Sequence, residues 1–277
     1  MIAKKMPKIK DIIIILEENP ISRAYLQFFI TKNLTKNKLI YLKPKSILPN
    51  LLLNNITFNK NNFYPLKFLK NKNVKKFIDE IEEFFSLEKN FLTSMYRYEN
   101  LFEFKNIFYS KNNDINSNEN LNFISSFEEE NFLNTGKQIL KKVFLTKKNF
   151  FHIHPGYLPK VKGADASLHS VNLYNKFGGT LFLMDEKIDN GKIVFRMEID
   201  SHKFLLNNIS DFEADDLYRI WFSFVDPAIR IWTLNKAYTM NLSLNKYLEL
   251  QQSNEIINYY SFFPKKELGK VFKLIFK

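Results

Sequence analysis

FFHIHPGYLPKVKGADASLHS, residues 150–170, is where the chain declares its architecture. Phe150–His154 is a short apolar run of strand length. Pro155-Gly156 stops it, because proline lacks the ladder N–H and glycine favours a turn. Asp165 or Ser167 can then open a helix that runs to about Asn175. Working outward, Asn131–Asn134 reads as a strand and Lys137 to about Leu145 as a helix. Downstream, Thr180–Met184 and Lys192–Ile199 read as strands separated by a turn at Asn190-Gly191.

Nearer the start, Asp11–Leu16 (DIIIIL) is a β-branched run typical of a buried parallel strand. Asn19-Pro20 breaks it, and Ser22 is placed to cap a helix to about Ile30. Leu39–Leu42 reads as a second strand. Residues 74–86 put Val74, Phe77, Ile78, Ile81, Phe84 and Phe85 on one helical face. The Asn- and Ser-rich segment 104–125 reads as an irregular insertion, and 213–235 as a long helix carrying Trp221 and Trp232. The alternation predicts an α/β fold: an open, mostly parallel twisted sheet flanked by helices. Ligands bind such sheets beyond the carboxyl ends of the strands. The Phe150–His154 strand ends in the densest cluster of polar residues and glycine, so the site is expected there.

Composition narrows the chemistry. There is no cysteine, which removes disulfides, thiol nucleophiles and thiolate metal sites. There are seven glycines, and the first is Gly136. A glycine-rich phosphate loop or dinucleotide fingerprint therefore cannot exist before it. The apolar run near the start is too short for a signal core or a membrane span, and no other stretch is long enough. The expectation is a cytoplasmic protein with no membrane partner. The net charge of +12 favours anionic ligands: nucleic acid, phosphorylated metabolites or the glutamate tail of a folate. The lysines are spread along the chain, so a generally basic surface explains the charge equally well.

His152 and His154, two apart on a strand, point to one face. Two imidazoles there can donate hydrogen bonds, shuttle a proton or hold a metal. They are also readable as an incidental pair of structural histidines. Asp189, in the turn MDEKIDNG, is the nearest chemical partner on offer, although an Asx-turn residue is the plainer reading of it. Lys160 and Lys162 read first as solvated lysines and Tyr157 as a packing residue. No third histidine stands at helical spacing, so no metal is expected. These residues alone name no reaction.

FFHIHPGYLPKVKGADASLHS followed by GGTLFLMDEKIDNGKIV resembles the folate-dependent formyltransferases. That family includes the methionyl-tRNA, glycinamide ribonucleotide and sugar N-formyltransferases. Its pattern is Asn-x-His-Pro, then Leu-Pro, a basic stretch and Gly, with an acidic turn about 35 residues later. His154-Pro155, Leu158-Pro159, Lys160, Lys162 and Gly163 match, as does Asp189-Asn190-Gly191. The likeness covers about Asn131 to Ile199. It implies a Rossmann-like formyltransferase core using 10-formyltetrahydrofolate as co-substrate, without a metal. His154 and Asp189 would then be catalytic. Met184, Asp185, Glu186, Lys187 and Ile188 would line the pterin pocket, and Tyr157, Lys160 and Lys162 would meet the substrate. One position departs from the pattern: His152 stands where the family has Asn, which donates to the formyl oxygen. A histidine N–H donates too, so the resemblance implies that His152 takes that role. The other reading is a degenerate homologue that binds folate without turnover.

The resemblance implies a small-molecule amine as acceptor. Only about 75 residues follow Ile199, little room for the barrel domain of the tRNA enzymes. Pro155-Gly156-Tyr157-Leu158-Pro159 and Tyr259-Tyr260-Ser261-Phe262-Phe263-Pro264 are more similar to sugar formyltransferases. The reading is therefore a nucleotide-linked amino sugar, with hydroxyornithine or another small amine as the alternative and no nucleic acid. Residues 1–205 are taken as the catalytic domain and 206–277 as a C-terminal helical or mixed extension. A homodimer is compatible with the sequence but not specified by it.

Overall fold

The computed structural model describes residues 7–43, 52–53, 56–57, 65–249 and 258–277. A seven-stranded sheet is its frame. The strands in chain order are β1 (Ile13–Leu16), β2 (Lys38–Tyr41), β3 (Asn106–Tyr109), β4 (Asn131–Asn134), β5 (Asn149–His154), β7 (Lys176–Leu183) and β8 (Lys192–Asp200). Their order across the sheet is β8-β7-β5-β4-β1-β2-β3. From β5 to β3 every pairing is parallel; β7 and β8 add antiparallel pairs at the other edge. A separate short pair joins β6 (Val161–Gly163) to β9 (Asn258–Tyr260). The expected mostly parallel α/β sheet is what forms.

Ile13–Leu16 is buried throughout because β1 has strand neighbours on both edges and side chains packed on both faces. Alternation sends Ile14 and Leu16 into the larger core and Ile13 and Ile15 into the smaller one. The larger core holds α1 (Pro20–Thr31), α2 (Lys72–Phe84) and α4 (Ala166–Tyr174). It also receives α5 (Ala214–Ile220), the π segment Trp221–Val225, α6 (Asp226–Thr239) and α7 (Leu268–Ile275). Leu217, Phe224, Ile229, Leu234 and Phe272 thus share one core with Ile14 and Leu16.

Three sequence expectations need correction. Asn19, not Ser22, caps α1: its side chain accepts from the Ser22 amide at 3.0 Å, and Pro20 takes the first helical position. Segment 104–125 is not irregular. It forms edge strand β3 and helix α3 (Asn118–Ser125), capped by Ser117. Its polar residues serve the turns: Asn112 and Asp114 each bond a backbone amide two residues on. The helix expected from Lys137 is only a 3₁₀ segment, Lys142–Thr146. Gln138 ties the chain to Ile115 and Asn113, and Asn116 takes the Lys141 amide, so residues 137–141 are pulled out of helical form. That extended piece becomes a wall of the site.

Candidate active site

A cavity of about 720 Å³ opens beyond the carboxyl ends of β4 and β5, within the size range of small-molecule sites. Its two walls come from the segment that sequence alone reads as the start of a helix and from the turn that carries Asp189. Gln138, Ile139 and Leu140 form one, and Met184 to Asp189 the other. His152 and His154 both line the floor, on one face of β5 as their spacing requires.

His154 is buried and both ring nitrogens have partners. Nε2 lies 2.9 Å from the Val161 carbonyl, and Nδ1 lies 3.5 Å from Asp189 Oδ1. A carbonyl only accepts, so Nε2 must carry a hydrogen. Nδ1 then meets a carboxylate, a contact that attracts only when a proton lies between the two groups. His154 Nδ1 is therefore a proton-accepting nitrogen beside Asp189, which would favour a proton placed there. Burial lowers the His154 pKa below its usual value, and the Asp189 charge opposes that. Asp189 itself is fixed in a left-handed turn conformation, with Oδ2 accepting the Gly163 amide at 2.8 Å.

His152 is held differently. Nδ1 donates to the Asn134 carbonyl at 2.8 Å, and Nε2 lies 3.2 Å from Arg230 Nη1. Arginine only donates, so Nε2 is an acceptor and the ring is neutral. Burial, then the neighbouring Arg230 charge, pushes its pKa down to about 4. The Arg230 guanidinium is clamped in turn: Nε donates to Asp226 Oδ1 at 2.7 Å, and Nη1 also donates to the Ile153 carbonyl. Asp226 Oδ2 accepts from Ser167, which accepts from the Trp221 indole. Lys137, on the loop after β4, places Nζ 3.8 Å from the Phe222 ring centroid, and burial lowers its pKa.

A strap closes the far side. β9 lies parallel to β6, and Gly163, at φ 100°, approaches the Tyr260 carbonyl so closely that a Cβ would sit 2.0 Å from it. The His169 ring stacks on Tyr260 at 4.6 Å and donates to the Ser261 carbonyl. Asp165 accepts from the Phe263 amide and the Tyr218 hydroxyl. So anchored, the strap offers Tyr259 and Phe262 at the cavity mouth, 59% and 75% exposed.

The structure thus brings together His152, His154, Met184, Asp185, Glu186, Lys187, Ile188 and Asp189. It does not bring Tyr157, Lys160 or Lys162 to the cavity wall. Tyr157 packs under the Arg196 guanidinium at 4.4 Å, and Lys160 Nζ lies over the Tyr174 ring at 4.5 Å. Lys162 turns its ammonium to Asn190 Oδ1 at 2.8 Å, steadying the turn that carries Asp189. Sequence reading missed Arg230 and Asp226. Their signal was the i,i+4 spacing of opposite charges inside the apolar run DPAIRIW, where charge needs a reason to be buried. Among the described residues, no group of three or more His, Cys, Asp or Glu could hold a metal ion, and no helix is long and apolar enough to cross a membrane.

No protein-family model and no curated protein matches the sequence. Among solved structures, the chain is similar to a sugar N-formyltransferase from Shewanella sp., at 14% identity over 91% of this chain and 76% of that one, with a TM-score of 0.44. It is similar to the N-formyltransferase from Helicobacter canadensis in complex with folinic acid and dTDP-3-aminofucose, at 14% identity over 91% and 71%, with a TM-score of 0.45. A methionyl-tRNA formyltransferase from Clostridium thermocellum also matches, at 14% over 71% and 70%, with a TM-score of 0.38.

Proposed function

We propose that this chain is a folate-dependent N-formyltransferase whose acceptor is the amine of a nucleotide-linked sugar. The carrying observation is the His154–Asp189 pair, 3.5 Å apart on the floor of an open cavity of about 720 Å³. The sequence signature supports it, since the residues matching the family pattern at His154 and Asp189 are the two that meet.

The residues fit a folate. Asn134 and Met184 line the cavity together with apolar Ile139, Leu140 and Ile188, a set suited to a flat ring with polar edges. When bound, 10-formyltetrahydrofolate supplies an electrophilic formyl carbon. The acceptor nitrogen forms a bond to that carbon, and the bond from the carbon to folate N10 breaks. The proton lost by the acceptor nitrogen ends on N10. His154 can take such a proton and return it, because Nδ1 is left bare by the Val161 contact and faces Asp189 Oδ1 at 3.5 Å, which steadies the proton once taken. The mouth suits the acceptor: Tyr259 and Phe262 offer exposed ring faces for a nucleobase, and Lys265 lies beside them.

The test is direct. The protein is incubated with 10-formyltetrahydrofolate and a panel of amines that includes nucleotide-linked amino sugars and hydroxyornithine, and tetrahydrofolate release and formylated product are measured. Transfer to a nucleotide-linked amino sugar is expected. The Asp189→Asn variant should be slower by at least about a hundredfold, the usual size for losing a positioned acid–base group. Unchanged turnover in that variant removes the assignment. A second reading, folate binding without transfer, draws on the capture of both His152 nitrogens by protein groups. Tight folate binding with no product from any amine would favour it.

A further inference from the structure

We propose that Arg230 stabilises the negative charge that develops on the transferred formyl oxygen, and that His152 is the neutral acceptor that aims it. The inference rests on the formyl-transfer reading above. It reverses the role that the sequence resemblance implies for His152.

The family pattern has Asn where this chain has His152, and that Asn donates to the formyl oxygen. His152 cannot substitute directly. Its one N–H in the neutral ring goes to the Asn134 carbonyl, and its other nitrogen accepts from Arg230. The donor at this end of β5 is therefore the arginine behind the histidine, through Nη2, since Nε is taken by Asp226 and Nη1 by His152 and Ile153. Arg230 lines the cavity and is only 8% exposed. Its position is fixed from three sides: Asp226 on its own helix, the Ile153 carbonyl on β5, and the His152 ring. A donor so held needs no rearrangement when charge appears, which is the condition for electrostatic catalysis. Guanidinium keeps its charge at any working pH, so it neither gives nor takes a proton. Negative charge arises on the oxygen as the acceptor nitrogen bonds to the formyl carbon. It is withdrawn as the bond to folate N10 breaks. The proton traffic stays with His154 and Asp189.

The neutral state of His152 belongs to the same design. A protonated ring would set a second cation against Arg230 and lose the Nε2 acceptor. Burial and the arginine charge keep that state away at neutral pH.

The competing account is structural: Arg230 merely ties α6 to β5. Two variants and one spectrum separate the accounts. Arg230→Lys keeps a cation opposite Asp226, but one ammonium cannot serve Asp226, His152 and Ile153, which Nε and Nη1 share in the wild type, and still donate to the formyl oxygen. Its kcat should fall about a hundredfold, the usual size for losing one oxyanion donor, while KM for folate and for acceptor stays within about threefold of wild type. His152→Gln can accept from Arg230 and donate to the Asn134 carbonyl, so it should keep kcat within about tenfold. Nitrogen-15 spectra of histidine-labelled protein should show His152 protonated on Nδ1 and bare on Nε2 at pH 7. A kcat for Arg230→Lys within about threefold of wild type, once corrected for the folded fraction, overturns the proposal. So does a His152 carrying its hydrogen on Nε2. If the wild-type protein transfers formyl to nothing, the reading beneath the proposal fails as well. If it transfers and Arg230→Lys matches it, only the proposal falls.

Discussion

His152 makes the protein's stability depend on pH in a way that one substitution should erase. The ring is packed at the tip of β5, donates to the Asn134 carbonyl and faces the Arg230 guanidinium from α6 at 3.2 Å. Of the other charged groups that act on it, Asp189 favours the protonated ring and His154 opposes it. In the unfolded chain it titrates near 6.5, and in the fold at about 4. As pH falls through 6.5 the unfolded state gains a proton that the native state refuses, so stability is lost from 6.5 downward until the native ring protonates too. At about 1.4 kcal/mol per pH unit, a descent to about 4 costs about 3 kcal/mol. For a chain of this size that is a fall in Tm of roughly 6–12 °C. Acidic side chains titrate in the same range, so the quantity to read is a difference. Wild type and His152→Gln are melted at half-unit steps from pH 7.5 to 4, and their Tm curves are subtracted. Glutamine can make both hydrogen bonds and cannot take up a proton. The wild-type curve should drop away from the variant's as pH falls below 6.5 and flatten near 4. Parallel curves would mean that the folded protein does not hold His152 neutral against Arg230.

Gly163→Ala should destabilise the fold by about 1–3 kcal/mol, since it imposes a left-handed backbone on a side chain and drives a Cβ to 2.0 Å from the Tyr260 carbonyl. Calorimetric melting measures the cost, and faster amide exchange at Ala164, which donates to Tyr260, would locate it in the strap. If the protein transfers formyl, the acid limb of kcat/KM should lie below pH 6.5, because burial lowers the His154 pKa and keeps the pair able to accept a proton. A limb above 6.5 would mean that another group is the proton acceptor.

Most of the sheet was readable because its strands carry two independent signals each. Ile13–Leu16 and Phe150–His154 are apolar at strand length and end in residues that cannot extend them. The failures have local causes. Segment 104–125 looked like a loop because its asparagines and serines were counted as composition, whereas Asn112, Asp114 and Ser117 each hold a specific backbone amide. The helix expected from Lys137 was defeated by side-chain bonds from Gln138 and Asn116 to residues about 25 positions away in sequence. Helical periodicity does not register such contacts.

The site divides along the same line. His154 and Asp189 were visible because turn chemistry placed them: a proline–glycine stop after one, an Asn-Gly turn after the other. Arg230 was not visible, because what qualifies it is the path of a helix. Tyr218, Phe222, Asp226 and Arg230 all line the cavity, each four residues from the last. At 3.6 residues per turn, a spacing of four overshoots by about 40° each time, so a plain α-helix would swing the last of them about 120° away from the first. The π segment Trp221–Val225 widens the turn midway and takes up part of that drift. Its removal by deleting one residue there would rotate Asp226 and Arg230 relative to Tyr218, and so part the guanidinium from His152 while leaving His154 and Asp189 in contact. The buried charge thus depends on an irregularity of backbone winding that no residue type announces.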